Sequence, residues 1–114
     1  MKHDATEHLP LSPATLHVLL ALTAGELHGY AIMVEVTRQS GGQYRIGPGT
    51  LYDNLKKLLN AGLVEELDAP DDGRARRKYR LTELGNGVLA AEVERLSGVL
   101  REARRALKLN ERRS

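Results

Sequence analysis

Apolar residues recur at helical spacing along much of this chain, and the clearest case lies between Gly47 and Gly62. Its apolar positions fall at i, i+4, i+7 and i+8, which makes one stripe along a 3.6-residue helix. They are Leu51, Leu55, Leu58 and Leu59. Pro48 suits the first helical turn, and Gly62 suits a left-handed cap just beyond the last one. The pattern predicts a helix whose opposite face is polar and basic and carries Thr50, Asp53, Lys56, Lys57 and Asn60.

Two further helices are predicted before this one. The first begins at Ser12-Pro13, where a capping hydroxyl precedes a proline at the first helical position, and Gly25 ends it. Its residues are apolar almost all round, so it needs cover on two sides, and we expect a second subunit to supply one. The second opens at His28-Gly29, where Gly29 suits a close helix contact or an unusual turn. His28 is expected to be a partly buried residue near a helix start, in preference to a pH-sensitive group.

A β-hairpin is predicted after the third helix. Residues 63–68 alternate enough to form a strand, residues 69–73 read A-P-D-D-G and favour a turn, and residues 77–81 form the returning strand. Tyr79 and Leu81 share one face of that strand, with Lys78 and Arg80 on the other. Three helices followed by a hairpin is the order of a winged helix-turn-helix. In that fold the third helix can enter a DNA groove while hairpin arginines reach neighbouring phosphates or a minor groove.

The last predicted helix carries a heptad seam. Thr82 suits its cap, although Gly85 stands where a capping box needs Glu or Gln. Steps of 4, 3, 4, 3 and 4 separate its apolar residues, a pattern that suits either docking within the chain or pairing with a second chain. We favour pairing, because the first helix also has two apolar faces. The predicted dimer interface consists of Leu16, Leu20, Leu89, Val93, Leu96, Leu100, Ala103 and Leu107.

Composition narrows the class of protein. The chain has 114 residues, a net charge of +2 and no cysteine, which fits one small cytoplasmic domain without disulfides or a thiolate zinc site. No apolar run is long enough to span a membrane, and Phe and Trp are absent, which argues against a base-stacking platform. Five basic residues against two acids lie between positions 71 and 80, and six against two between 101 and 113. Such clusters indicate either an anionic partner or a solvated face.

These signals divide the chain into four parts. Residues 1–11 are expected to be a flexible arm, 12–81 a winged helix-turn-helix domain, 82–109 a dimerisation helix and 110–114 a tail. The arm carries potential metal ligands, but nothing fixes their geometry, so no metal or cofactor is expected. They are His3, Asp4, Glu7 and His8. The predicted fold class is therefore mainly α with a small β-hairpin.

Several segments together resemble the PadR family of bacterial transcriptional regulators. They read L-H-G-Y-A-I at 27–32, I-G-P-G-T-L-Y-D-N-L-K-K-L at 46–58, A-G-L-V at 61–64 and G-R-A-R-R-K-Y-R-L-T-E-L-G at 73–85. The single C-terminal helix is similar to the short subgroup of that family. The resemblance implies a homodimer that represses transcription from a roughly palindromic operator. It also implies a response to small, often aromatic or cationic, effectors.

The resemblance also implies which residues face DNA. Tyr52 matches the tyrosine of the G-T-L-Y motif and is expected near a phosphate, and the lysines and arginines would neutralise phosphate charge. Asp53 fits least well, because many members carry a basic or neutral residue there. The predicted DNA-binding residues are Gly49, Thr50, Tyr52, Lys56, Lys57, Arg74, Arg76 and Arg77.

Two other functions remain to be weighed against DNA binding. A winged-helix module that binds protein instead of DNA is compatible with the low net charge and with Asp53. An enzyme is disfavoured, because the chain has no cysteine and no Ser-His-acid grouping with supporting context, and Asp71-Asp72 lies in a turn.

Overall fold

The computed structural model describes residues 5–67 and 77–109, and every structural statement below concerns these residues. The helices are α1 (Pro13–Ala21), α2 (Gly29–Gln39), α3 (Pro48–Asn60) and α4 (Glu83–Ala106). The strands are β1 (Leu27–His28), β2 (Val64–Leu67) and β3 (Lys78–Leu81). Short 3-10 turns cover Ala5–His8 and Leu22–Ala24. The architecture is mainly helical with a small sheet and a long last helix, which confirms the predicted fold class.

The helix ends follow the capping residues of the sequence. The backbone N–H of Thr15 donates to Ser12 Oγ at 3.2 Å and so caps α1. At the start of α2, the N–H of Ala31 points at His28 Nδ1 at 3.4 Å, so the imidazole occupies the capping position. Gly62 follows α3 with a φ of 77°, the left-handed conformation expected of it. These three helix boundaries were therefore predictable from local sequence.

The sheet contains one strand that the sequence analysis did not predict. Its order is β1-β3-β2, and both pairings are antiparallel. The two strands of the predicted hairpin pair, with Glu65 opposite Arg80, and the predicted turn at 69–73 lies outside the described residues. β1 adds only two residues, with Leu27 opposite Tyr79. A strand this short has no alternating pattern, and it pairs with the edge of β3 that β2 does not occupy.

The core surrounds α1. Val18, Leu19 and Ala21 are fully buried, and α1 packs against α2, α3 and α4 of the same chain. Its apolar circumference is therefore covered in part by the same chain, and the expected contribution of a second subunit at this helix stays a prediction. Leu16 and Leu20 are half-buried against the same core.

The start of α4 explains the missing capping box. Thr82 Oγ1 accepts from the N–H of Gly85 at 3.0 Å and donates to the carbonyl of Gly62 at 2.7 Å. A Cβ at Gly85 would overlap the carbonyl oxygen of Leu63 and lie 2.9 Å from its carbonyl carbon. Position 85 must therefore be glycine for space, because no Glu or Gln fits between α4 and the chain entering β2.

The segment before α1 is not the arm that the sequence suggested. Residues 5–8 form a 3-10 turn that packs against α4. The backbone N–H of Leu11 donates to Glu92 Oε2 at 3.1 Å, and Glu92 also accepts from Arg95 Nε at 2.7 Å. Glu92 is only 1% exposed. The described part of the expected arm is thus anchored to α4 through a buried carboxylate, and residues 1–4 lie outside the described residues.

Candidate nucleic-acid interface

Helix α3 has one buried and one exposed face. Leu51, Leu55 and Leu58 are 4% exposed or less and fix the helix on the core. The opposite face is solvent-exposed, as its polar pattern indicated. It carries Gly49, Thr50, Tyr52, Asp53, Lys56 and Lys57. An exposed helix face with two lysines, held by a leucine stripe, has the form of a helix that enters a major groove.

A chain of hydrogen bonds fixes the first turns of α3 against α1. Thr15 Oγ1 accepts from Ser12 Oγ at 3.0 Å and donates to Asn54 Oδ1 at 2.8 Å. Asn54 Nδ2 in turn donates to the carbonyl of Thr50 at 2.8 Å. The role of Asn54 is not visible in the sequence, because its partner Thr15 lies 39 positions away and no local pattern links them. This network orients the part of α3 that carries the predicted DNA contacts.

The loop that leads into α3 is also fixed. The rings of His17 and Tyr44 stack with centroids 4.3 Å apart and an interplanar angle of 13°. Ser40 Oγ accepts from the N–H of Tyr44 at 2.9 Å and donates to its carbonyl at 3.1 Å. Ile46 is buried at the end of the loop. Both ends of the α2–α3 connection are therefore held, so α3 has a defined direction.

Tyr52 bridges α3 and the start of α2. Its side chain is 48% exposed, yet its hydroxyl end lies directly over Gly29, the first residue of α2. The pKa of Tyr79 on β3 is raised, chiefly by burial and then by the charges of Glu66 and Tyr52. Tyr52 therefore lies where α2, α3 and the sheet meet, with part of its ring facing solvent.

The described arginines of the hairpin are paired with carboxylates. Arg77 contacts Glu66 at 2.6 Å, and Arg80 contacts Glu65 at 2.6 Å and Glu26 at 3.3 Å. The pKa of Arg80 is raised, mainly by its hydrogen bond to Glu65. These pairs are solvent-exposed, and such pairs contribute little to stability. Arg77 can therefore exchange Glu66 for a phosphate at small cost.

Other basic side chains of the described residues have no carboxylate partner. Within residues 5–67 and 77–109, Lys56 and Lys57 form no ion pair with any described carboxylate, and neither does Lys78. Arg74 and Arg76, which are also predicted to bind DNA, lie outside the described residues. Within the described chain, α3 therefore supplies more unneutralised charge than the hairpin arginines do.

The predicted dimer residues fall into two groups. Leu89 is 6% exposed and belongs to this chain's own core, and Leu16, Leu20 and Ala103 are half-buried. The second group is exposed along α4 and at its C-cap and comprises Val93 (49%), Leu96 (37%), Leu100 (53%) and, at the cap, Leu107 (66%). Val99, which is not one of the predicted heptad positions, is 55% exposed. The C-terminal two-thirds of α4 thus presents apolar side chains that the described part of the chain does not cover.

An open apolar groove lies between α2 and the loop before α3. Its volume is about 640 Å³. The lining residues are Met33, Val34, Thr37, Arg38, Arg45, Ile46 and Gly47. In the described ranges, no three His, Asp or Glu residues cluster as metal ligands, and none of the helices there has the length and apolarity to cross a membrane.

Three packed helices, a strand-paired hairpin and an exposed third helix define a winged helix-turn-helix protein. A model of the PadR-like family of transcriptional regulators matches residues 18–91. The chain belongs to this family, which confirms the resemblance seen in the sequence. It is a transcriptional regulator of the DNA-binding winged-helix type and not an enzyme.

Individual relatives agree with this assignment. The chain is 38% identical over 87 residues to the transcriptional regulator Rv3488 of Mycobacterium tuberculosis, covering 76% of this chain and 78% of that protein. It shares its fold with the transcriptional regulator Cth-833 of Clostridium thermocellum, with a TM-score of 0.72 and 20% identity over 84% of this chain and 97% of that one. Bacillus subtilis PadR in complex with operator DNA gives a TM-score of 0.65 and 25% identity. That match covers 74% of this chain and 48% of that PadR.

Proposed function

We propose that this regulator is a homodimeric repressor that binds a roughly palindromic operator through α3. The observation that carries the proposal is the exposed face of α3, where Lys56 and Lys57 have no described carboxylate partner. The similarity to a PadR that is complexed with operator DNA supports it. Thr50 and Lys57 would read base edges, and Gly49 would let the helix start approach the groove closely.

The basic residues would supply the electrostatic part of the affinity. Lys56 and Arg77 would neutralise phosphates, together with Arg74 and Arg76 of the hairpin. Each neutralised phosphate makes log K fall with log salt by roughly 0.9. Removing one such charge should therefore lower the slope by about one and weaken binding to all sequences alike.

Selection of bound fragments from random or genomic DNA, followed by titration of the selected site, tests the proposal. We expect a two-fold symmetric consensus whose half-sites lie about 34 Å apart, one helical turn of DNA. Lys57→Gln should weaken binding and change the consensus. Lys108→Gln makes the same charge change beyond the C-terminal end of α4 and should do neither. Absence of any enriched sequence would overturn the proposal.

The same selection separates the remaining alternative, a winged-helix module that binds protein. Asp53 favours this reading, because it is exposed on the same face of α3 and repels phosphate. Such a module would give no complex with the chain's own promoter DNA above that with random DNA. A preference for cytosine opposite Asp53 would instead mean that its carboxylate reads a base amino group.

The homodimer would form through α4. The exposed apolar residues Val93, Leu96 and Leu100 lie on the part of the helix that this chain leaves uncovered. A contiguous apolar face of this kind marks an interaction site in a soluble protein. Two copies joined there would present two α3 helices, as a palindromic operator requires.

Release by a small molecule is a further part of the proposal. The groove of about 640 Å³ supports it, because this volume suits a drug-sized compound and the groove borders Gly47 at the start of α3. Screening aromatic and cationic compounds for loss of the operator complex tests it. Met33→Arg, which would fill the groove, should abolish the response of any compound that acts there.

A further inference from the structure

Gly29 is buried at the first position of α2, and the hydroxyl end of the Tyr52 side chain packs against it. A Cβ at residue 29 would overlap Tyr52 Oη and lie 2.8 Å from Cζ. We propose that Gly29 is a positioning residue, which leaves the space that holds the Tyr52 hydroxyl where it meets a DNA phosphate. The inference rests on the proposed function, because it concerns the same DNA complex.

Space is the reason for glycine at this position. Gly29 lies in regular α-helix and does not have the positive φ of the described glycines Gly25, Gly41, Gly42 and Gly62. Any residue could therefore adopt its backbone angles. Alanine would even favour the helix, because glycine is the weaker helix former. The three heavy atoms nearest to a Cβ here, outside the adjoining backbone, all belong to Tyr52.

The consequence of filling this space differs from that at Gly85. At Gly85 a Cβ meets the backbone of Leu63, which moves only if the fold moves. At Gly29 it meets the far end of a side chain that is 48% exposed, so the ring can rotate outward into solvent. An alanine at residue 29 should therefore displace the Tyr52 hydroxyl and leave the fold intact.

A displaced tyrosine has a recognisable effect on DNA binding. A phosphate contact positions the protein and carries no sequence information. A neutral hydroxyl also neutralises no phosphate, so it adds nothing to the salt dependence. Loss of the phosphate contact of Tyr52 should thus weaken binding to every DNA sequence by the same factor. The slope of log K against log salt should stay unchanged. Loss of Lys56 or Lys57 would change that slope.

A double-mutant cycle on the full-length chain tests the proposal. We expect Gly29→Ala and Tyr52→Ala each to raise the Kd for the selected operator about tenfold, which equals about 1.4 kcal/mol. The double variant should bind no more weakly than Tyr52→Ala alone, because without the ring the atoms that the added methyl overlaps are gone. The melting temperature of Gly29→Ala should stay within about 2 °C of that of the unmodified chain.

Gly87→Ala provides the matched control. It makes the same change inside a helix at an exposed position, where a Cβ meets no neighbour, and should leave the Kd unchanged. Additive effects of Gly29→Ala and Tyr52→Ala, or an unchanged Kd in Gly29→Ala, would overturn the inference while operator binding by the unmodified chain stands. An unmodified chain that prefers no sequence would overturn the proposed function and this inference together.

Discussion

Replacing Glu92 by glutamine should destabilise the protein measurably. The carboxylate is 1% exposed and accepts three hydrogen bonds, two from Arg95 at 2.7 and 2.9 Å and one from Leu11 N–H at 3.1 Å. Glutamine keeps the shape and one acceptor but removes the charge. A hydrogen bond to a charged group contributes roughly 1.5–3 kcal/mol. Arg95 is 39% exposed and recovers water, so we expect a net loss of about 1–2 kcal/mol.

Helix α4 contains a matched control for this experiment. Glu102 and Arg105 have the same i,i+3 spacing and approach to 2.6 Å, but their side chains are 63% and 73% exposed. Glu102→Gln should therefore leave stability unchanged within error, because water screens the pair. The two variants differ only in burial and in the contact with the segment before α1.

Urea and thermal unfolding at one fixed protein concentration measure both variants. Fixing the concentration matters because association also contributes to apparent stability. A loss of about 1–2 kcal/mol corresponds to a melting-temperature decrease of roughly 4–8 °C for a domain near this size. Equal unfolding midpoints for Glu92→Gln and Glu102→Gln would refute the reasoning, since burial of the carboxylate would then contribute nothing.

Three more predictions concern pH, packing and association. The hydrogen bonds from Arg95, opposed by burial, lower the pKa of Glu92 below its ordinary 4.5. The stabilising contribution of Glu92 should therefore be present above pH 4.5 and be lost as the pH falls through the lowered pKa. Acid titrations of unfolding should show this loss in the unmodified chain and not in Glu92→Gln. Gly85→Ala should destabilise by about 1–3 kcal/mol in thermal melts through overlap with Leu63, whereas Gly87→Ala should not, and equal melting temperatures would contradict this. Leu100→Asp should convert a dimer to a monomer in sedimentation without loss of helical circular dichroism, and an unchanged dimer would remove α4 from the interface.

Features encoded by neighbouring residues were predictable. The leucine spacing of α3 and the glycine after it identified the helix, and the pattern around Tyr79 identified the hairpin. Thr82 likewise marked the start of α4, as the structure confirms. Each of these signals acts within a few residues, so it is visible without knowledge of the fold.

Features that depend on distant residues were not predictable. Glu92 looks like an ordinary polar position beside the heptad seam, and its burial and its hydrogen bond from Leu11 appear only in the folded chain. The link from Thr15 to Asn54 likewise appears only after α1 and α3 pack together. The hairpin arginines looked free because the count of charges ignored register, which places Arg80 opposite Glu65. The contacts of the DNA-binding residues themselves stay predictions.

The pairing of β1 with β3 has a consequence for how the protein folds. It joins Leu27 to Tyr79, 52 positions apart, whereas β2 and β3 pair within a local hairpin. Closing the longer loop costs more chain entropy, and during synthesis β1 leaves the ribosome well before β3 does. A two-residue strand has no stability without its partner. We therefore expect the beginning of α2, and with it the site of Tyr52, to settle only after the hairpin has formed, which would complete the proposed DNA-binding surface late in folding.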